Sequence, residues 1–165
     1  MPDSIEQKII TAIVARLQTI LTTNGFQTNI GAKVRDWETN WQQEDLPAIS
    51  VFTGRTVSED APRERRKTVH SLPVAIQVSL ERGTAAANAR IAIDDIKKAI
   101  LGSGTQANNW LAERFPIVEG TPPGLTMVTR ETAHQILTPQ DSFEIVGAQV
   151  EIEILFITEK FNARQ

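Results

Sequence analysis

The chain has 165 residues, of which 41% are hydrophobic, a formal net charge of -3 and no cysteine. This length suits one ordinary hydrophobic core, so we expect a single domain over residues 1–165. The acidic balance disfavours general binding to nucleic acid or to anionic membranes, because both need a basic excess. The lack of cysteine excludes disulfides and thiolate metal sites, and fits a reducing cytoplasm. No apolar run reaches the length of a membrane span, so we expect a soluble protein that is not secreted by the usual route.

The first predicted element is an amphipathic helix from Ser4 to Asn24. Ser4 and Gln7 have the spacing of a capping box, and Gly25 supplies a left-handed stop. Its apolar stripe consists of Ile5, Ile9, Ile13, Leu17, Ile20 and Leu21. A short strand is predicted over Phe26 to Val34.

Two tryptophans, Trp37 and Trp41, follow in a polar linker. One interpretation is that at least one indole closes the edge of the core. The alternative is that the pair anchors a protein partner, because tryptophan is favoured at interface hot spots.

Two strands are predicted over residues 46–52 and 67–80, and we expect them to form a hairpin. The segment between them carries the most charged run in the chain and cannot fold back on a core. We therefore predict a projecting β-hairpin arm over about residues 53–70. The charged run comprises Glu59, Asp60, Arg63, Glu64, Arg65, Arg66 and Lys67.

The second half of the chain predicts another helix, from Ala85 to Leu101, and a strand or a pair of short strands from Leu125 to Leu137. The last strand, from Phe143 to Thr158, alternates apolar and polar residues and is half-buried. Its parity changes near Gly147, which predicts a β-bulge there. At its end, Leu155 and Ile157 make the polar face apolar as well, so this part should be covered on both sides, by this chain or by another.

Together these elements predict an α+β fold. We expect a mostly antiparallel sheet with the two amphipathic helices packed on one face and the hairpin arm projecting from it. No internal repeat is present.

A search for catalytic patterns gives little. The chain has no phosphate-binding glycine loop, and its two histidines, His70 and His134, have no metal-ligand or triad spacing. We expect His70 to face solvent or an interface. Asp94 and Asp95 are expected to lie on the solvated side of the second helix.

Glu151 and Glu153 lie on one strand face and could in principle hold a divalent metal. Alternate acids on a strand are usually its solvated side, and no lysine accompanies them as in nucleases of the restriction fold. Residues 63–67 could contact a few phosphates, but Glu59 and Asp60 would repel the same backbone. A tip of mixed charge fits a protein neighbour better, including another copy of the chain.

The order of elements is distinctive. It comprises an amphipathic helix, the strand 46–52, a charged arm, the strand 72–76, an alanine-rich helix and a long final strand. With this order and these strand patterns, the chain resembles the tail terminator proteins of tailed bacteriophages. The resemblance covers nearly the whole chain and rests on element order, because the family has no catalytic signature.

The resemblance implies a structural virion protein without enzymatic activity, cofactor or metal. It implies a hexameric ring that caps the tail tube, stops its polymerisation and presents a surface to the neck. The implied partners are other copies of the chain, the tail tube protein, a neck or head-completion protein and, in a contractile tail, the sheath protein. The resemblance implies contact with DNA only while the DNA passes through the tail. The implied location is the virion tail, after assembly in the host cytoplasm.

The predicted contact residues are on the arm and at the end of the last strand, as two separate patches. A ring built by head-to-tail contacts needs two such complementary patches. They comprise Glu59, Asp60, Arg63, Arg65, Arg66, Lys67, Leu155, Ile157 and Phe161, while Glu151 and Glu153 are candidates to line a channel.

Two other functions remain open from the sequence. One is another head-tail joining or tail tube protein on a related fold. The other is a small metal-dependent nuclease that uses Glu151, Glu153 and the basic arm.

Overall fold

The computed structural model describes residues 4–60, 67–81, 85–102, 127–137 and 145–159. Helix α1 spans Ile5–Leu17, and the Ser4 side chain accepts a hydrogen bond from the backbone of Gln7, as predicted. Helix α2 spans Ala85–Leu101 and ends before Gly102, whose φ of 83° is the left-handed stop expected there.

The prediction that α1 extends to Asn24 is wrong. The helix ends at Leu17, and a separate 3-10 turn follows over Thr22–Asn24. The Asn29 side chain accepts hydrogen bonds from the backbone and hydroxyl of Thr22 and so holds this turn in a path that does not continue the α-helix. Gly25 does supply a left-handed stop, with φ of 83°, but it ends the 3-10 turn.

The described residues form six strands in one mixed sheet. The strands are β1 (Val34–Asp36), β2 (Ala48–Thr53), β3 (Val57–Asp60), β4 (Lys67–Glu81), β5 (Met127–Leu137) and β6 (Ile145–Glu159). Their order is β1-β2-β4-β6-β5, and β3 pairs with β4 beyond the end of β2. Among the described strands only the β1–β2 pair is parallel, so the prediction of an α+β fold with a mostly antiparallel sheet is confirmed.

The two central strands, β4 and β6, pair along their whole lengths from Lys67–Glu159 to Glu81–Ile145. Their register passes through Gly147 without a shift, so the predicted bulge at this glycine is wrong. A side chain at this position would be crowded instead: a Cβ would lie 3.1 Å from Leu137 and 3.2 Å from the Val78 carbonyl, so its neighbours would have to shift. Instead, the irregularity lies in β5, between Glu131 and Ala133.

One side of the sheet, here called the core face, contributes alternate residues of the central strands to the hydrophobic core. In β4 these include Leu72, Val74 and Ile76, which lie opposite Ile154, Ile152 and Val150 of β6. Buried side chains of both helices belong to the same cluster. They are Ile9, Ile10, Ala12, Ile13, Leu17, Ala89, Ala92, Ile93, Ile96, Ala99 and Ile100.

The strand predicted over Phe26 to Val34 is also wrong. A 3-10 turn forms over Ile30–Ala32 instead, and β1 begins only at Val34. The cause is Asp95 of α2, which is buried and accepts hydrogen bonds from the backbone of Gln27 and Thr28. Because the carboxylate takes these backbone donors, the segment packs against α2. Asp95 therefore does not lie on the solvated side of the helix, as the sequence predicted.

Candidate assembly surfaces

In the described part of the predicted arm, β3 pairs antiparallel with the first residues of β4. Val57 lies opposite Ser71, and Asp60 lies opposite Thr68. Every residue of β3 is exposed, including Glu59 and Asp60. The predicted contact residues Arg63, Arg65 and Arg66, together with Phe161, lie outside the described residues.

The base of the arm is fixed to the sheet by His70. One ring nitrogen, Nδ1, lies 2.8 Å from the Ser58 hydroxyl, and the other, Nε2, lies 2.7 Å from the Thr158 hydroxyl. The ring stacks on Phe156 with centroids 4.8 Å apart. His70 thus joins β3, β4 and β6 in one cross-strand unit and is half-buried. The expectation that it faces solvent or an interface stays a prediction.

The side of the sheet opposite the core face, here called the second face, carries an apolar strip near the arm. Leu155 and Ile157 are half-buried there. In register, Val57, Ser71, Leu155 and Val128 form one row across β3, β4, β6 and β5. Val57 and Val128, at its two ends, are 53% and 48% exposed. Among the described residues, the strip therefore reaches from one outer strand to the other, and Ser71 is the polar position in this row.

The next row of the second face joins the two patches that the sequence treats as separate. Glu59 lies opposite Val69, and Val69 lies opposite Ile157. The acidic part of the arm and the apolar end of β6 are therefore neighbours on one surface. The sequence does not show that the first residues of β4, at the base of the arm, pair with the end of β6, so sequence reasoning missed this.

Glu151 and Glu153 both lie on the second face, as predicted, but they have different environments. Glu153 accepts hydrogen bonds from Ser71 and Arg130, and its side chain is 19% exposed. The bond from Ser71, followed by that from Arg130, holds the pKa of Glu153 below its ordinary value. Glu151 accepts a hydrogen bond from the Gln149 amide at 2.7 Å. The Glu153 carboxylate is thus an ion-pair partner within the sheet.

This ion pair predicts a pH-dependent contribution of Glu153 to stability. Because its pKa is lowered in the folded state, the contribution is present above the unfolded value of 4.5 and is lost as the pH falls through the folded value. Denaturant unfolding at neutral pH should show Glu153→Gln less stable than the wild type, with the difference shrinking in acid. The matched control is Glu151→Gln, whose carboxylate is bound by an amide. A difference that grows in acid would contradict the assignment.

The two tryptophans have separate roles. Trp41 is buried, and its indole donates a hydrogen bond to Ser50 at 2.7 Å, so one indole does close the core, as expected. Trp37 is 59% exposed and has a φ of 56°, uncommon for a residue with a side chain. Its ring contacts the Phe52 ring edge-on, with the two ring centroids 5.7 Å apart. Trp37 remains the candidate anchor for a partner.

A polar cluster that sequence reasoning missed lies between α2 and β5. The Lys97 ammonium is 2.8 Å from the Glu131 carboxylate, and His134 Nδ1 is 2.7 Å from the same oxygen. Burial tends to raise the pKa of Glu131, but the hydrogen bonds from Lys97 and His134 outweigh burial and hold the pKa below its ordinary value. The β5 bulge brings Glu131 and His134 onto one face. Residue spacing alone could not have shown this, because residues three apart normally face opposite ways.

The described residues contain no grouping of three or more histidine or acidic side chains that could hold a metal ion. Within the same part of the chain, neither helix has the length and hydrophobicity needed to cross a membrane.

Comparisons with known proteins give no further identification. No protein-family model matches the chain, and no curated protein sequence matches it. The resemblance to tail terminators therefore stays a prediction from the sequence.

Proposed function

We propose that the chain is a structural assembly protein of a phage tail. In this proposal it acts as a tail terminator: copies form a ring that caps the tail tube, stops its polymerisation and provides the interface to the neck. The observation that carries the proposal is the apolar strip of the second face, which includes Leu155 and Ile157 and extends across the sheet to Val57 and Val128. Partly exposed aliphatic side chains that adjoin one another favour a protein contact.

The finer architecture belongs to the same proposal. Both helices would cover the core face, because their buried residues share one cluster with it. The second face and the projecting arm would then be left for partners. These are other copies of the chain, the tail tube protein, a neck or head-completion protein and, in a contractile tail, the sheath protein. DNA would pass through the assembled virion tail without being processed.

The test of this proposal is tube growth. Tail tube protein would be polymerised alone and with the purified chain, and tube lengths would be measured by electron microscopy. A terminator gives short tubes with a ring of about six subunits at one end. If the chain itself forms long tubes, it is a tube subunit; if it leaves tube length unchanged, the terminator proposal is wrong.

The alternative of a metal-dependent nuclease is less well supported. It needs the Glu153 carboxylate as a metal ligand, and Arg130 and Ser71 already bind that group. Cleavage of DNA in Mg²⁺ or Mn²⁺ that is lost in Glu153→Ala would favour the nuclease over the terminator.

The arm gives a prediction of its own. Deletion of residues 59–66 should leave a folded chain, because the described residues among them, Glu59 and Asp60, are exposed and outside the core. Assembly or docking on tubes should be weakened, because the deletion removes half of β3. Circular dichroism would check folding, and light scattering and co-sedimentation with tubes would check assembly. Unchanged ring mass together with unchanged tube binding would show that the arm is dispensable.

A further inference from the structure

Near the arm, the two outer strands of the described sheet are β3 on one side and β5 on the other. Among the described strands, β3 has a partner only in β4, and β5 has a partner only in β6. Each of the three pairings from β3 through β4 and β6 to β5 is antiparallel. The chain direction in β3 is therefore opposite to that in β5. If a second copy lay beside the first in the same orientation, its β3 would run antiparallel to β5, the commoner arrangement of paired strands.

The lengths of these two edges also match. Strand β3 has four residues, Val57–Asp60. Strand β5 pairs regularly with β6 from Met127 to Glu131, and its bulge follows before Ala133. A bulge interrupts the regular ladder, so it would limit pairing with a neighbour to the first residues of β5.

Charge and hydrophobicity are complementary across the same edges. On the second face, β3 presents Val57 and Glu59, and β5 presents Val128 and Arg130. Glu59 is exposed, and the side chain of Arg130 is 63% exposed although it also contacts Glu153. One edge thus offers a valine with an acid, and the other a valine with a base. Such an arrangement favours a second copy of the chain, because a single copy carries both complementary halves.

We propose that β3 of one copy pairs with Met127–Arg130 in β5 of the next copy, so that the sheet continues across the subunit boundary. In the register that fits, Val57 lies opposite Arg130 and Glu59 lies opposite Val128. Val57 of one copy then lies diagonally across from Val128 of the next copy, and Glu59 lies diagonally across from Arg130. Diagonal neighbours lie about 7–8 Å apart, with their Cβ atoms somewhat closer, within reach of long side chains. This contact joins two different edges, so its repetition can close into a ring. The inference rests on the proposed ring and names its contact.

Contacts within the subunit hold both β3 and β5 in place, which supports the proposed pairing. The hydrogen bond between Ser58 and His70 holds β3 against β4, and the contact of Arg130 with Glu153 orients the β5 side chain. Both edges are therefore held in place before they meet, which lowers the entropy lost on association.

The test uses two charge reversals in the full chain, Glu59→Arg and Arg130→Glu. Each variant alone places like charges at every contact. An equimolar mixture restores opposite charges at every contact, because the two kinds of subunit can alternate around an even-numbered ring. We expect each variant alone to require at least about fivefold higher concentration for assembly, as the loss of an exposed ion pair and a new repulsion together imply. The mixture should assemble like the wild type.

The readout is solution mass by light scattering over a concentration series. Arg90→Glu, an exposed position on α2, is the matched control and should assemble like the wild type. If the wild type forms a ring and the single variants form it equally well, the edge pairing is wrong and the ring proposal stands. If the single variants fail and the mixture also fails, the edge pairing is again wrong, because the reversals then act within a subunit. Tube length in the presence of the wild type tests the terminator proposal separately.

Discussion

The chain carrying Ile154→Asp is expected to be unfolded or nearly so at room temperature. Ile154 has no exposed surface and lies in β6 between Leu72 of β4 and Thr129 of β5. A carboxylate there would lose its hydration, and the described core around it is apolar. An unpaired polar or charged group in a core costs several kcal/mol, against a total stability of about 5–15 kcal/mol for a domain.

The measurement is circular dichroism with thermal and urea unfolding. Ile5→Asp is the matched control because Ile5 is 44% exposed and stands at the first position of α1. An acid is favourable at a helix amino terminus, so this variant should unfold like the wild type. A cooperative transition of Ile154→Asp near that of the wild type would contradict the assignment of Ile154 to the core.

The second large effect is expected for Asp95→Ala. The Asp95 side chain is 1% exposed and accepts bonds from Gln27 N at 3.1 Å, Thr28 N at 2.8 Å and Thr28 Oγ1 at 2.6 Å. Alanine would leave these partly buried donors without their acceptor. Each unsatisfied buried donor costs about 1–3 kcal/mol. Because the three donors are only partly buried, we take the lower end for each and expect a total loss of about 3 kcal/mol and a fall of the melting temperature by roughly 10 °C.

Asp94→Ala is the control for this prediction, since Asp94 is the adjacent residue on the same helix and is exposed. Substitutions on the surface away from such contacts usually change stability by less than about 0.5 kcal/mol. Equal effects of the two alanine variants in denaturant unfolding would show that Asp95 does not hold the segment at Gln27 and Thr28.

The regular elements could be predicted from the sequence because their hydrophobic patterns are long. Strands β4 and β6 alternate over many residues, and α2 has a clear apolar stripe, so local pattern and burial agree. The errors occur where a distant group decides the local path. Asp95 sets the conformation at Gln27 and Thr28, and Asn29 holds the turn at Thr22. Such contacts leave no periodic signal.

Part of the candidate surface could also be predicted from the hydrophobic pattern. The apolar end of β6 at Leu155 and Ile157 follows from the loss of alternation, and the structure places both on the second face. The joining of this patch to Glu59 and Val128 depends on the register of four strands, which the sequence does not determine. The structure likewise changes the interpretation of Glu153, because its partner Arg130 lies on a different strand.

The central claim is that the chain assembles with copies of itself. The most direct measurement is the solution mass of the purified wild-type chain by light scattering, alone and with tail tube protein, over a range of concentration and salt. We predict one closed species of about six subunits, formed either alone or when tube protein is added. A mass that stays at one subunit under every condition would contradict the claim.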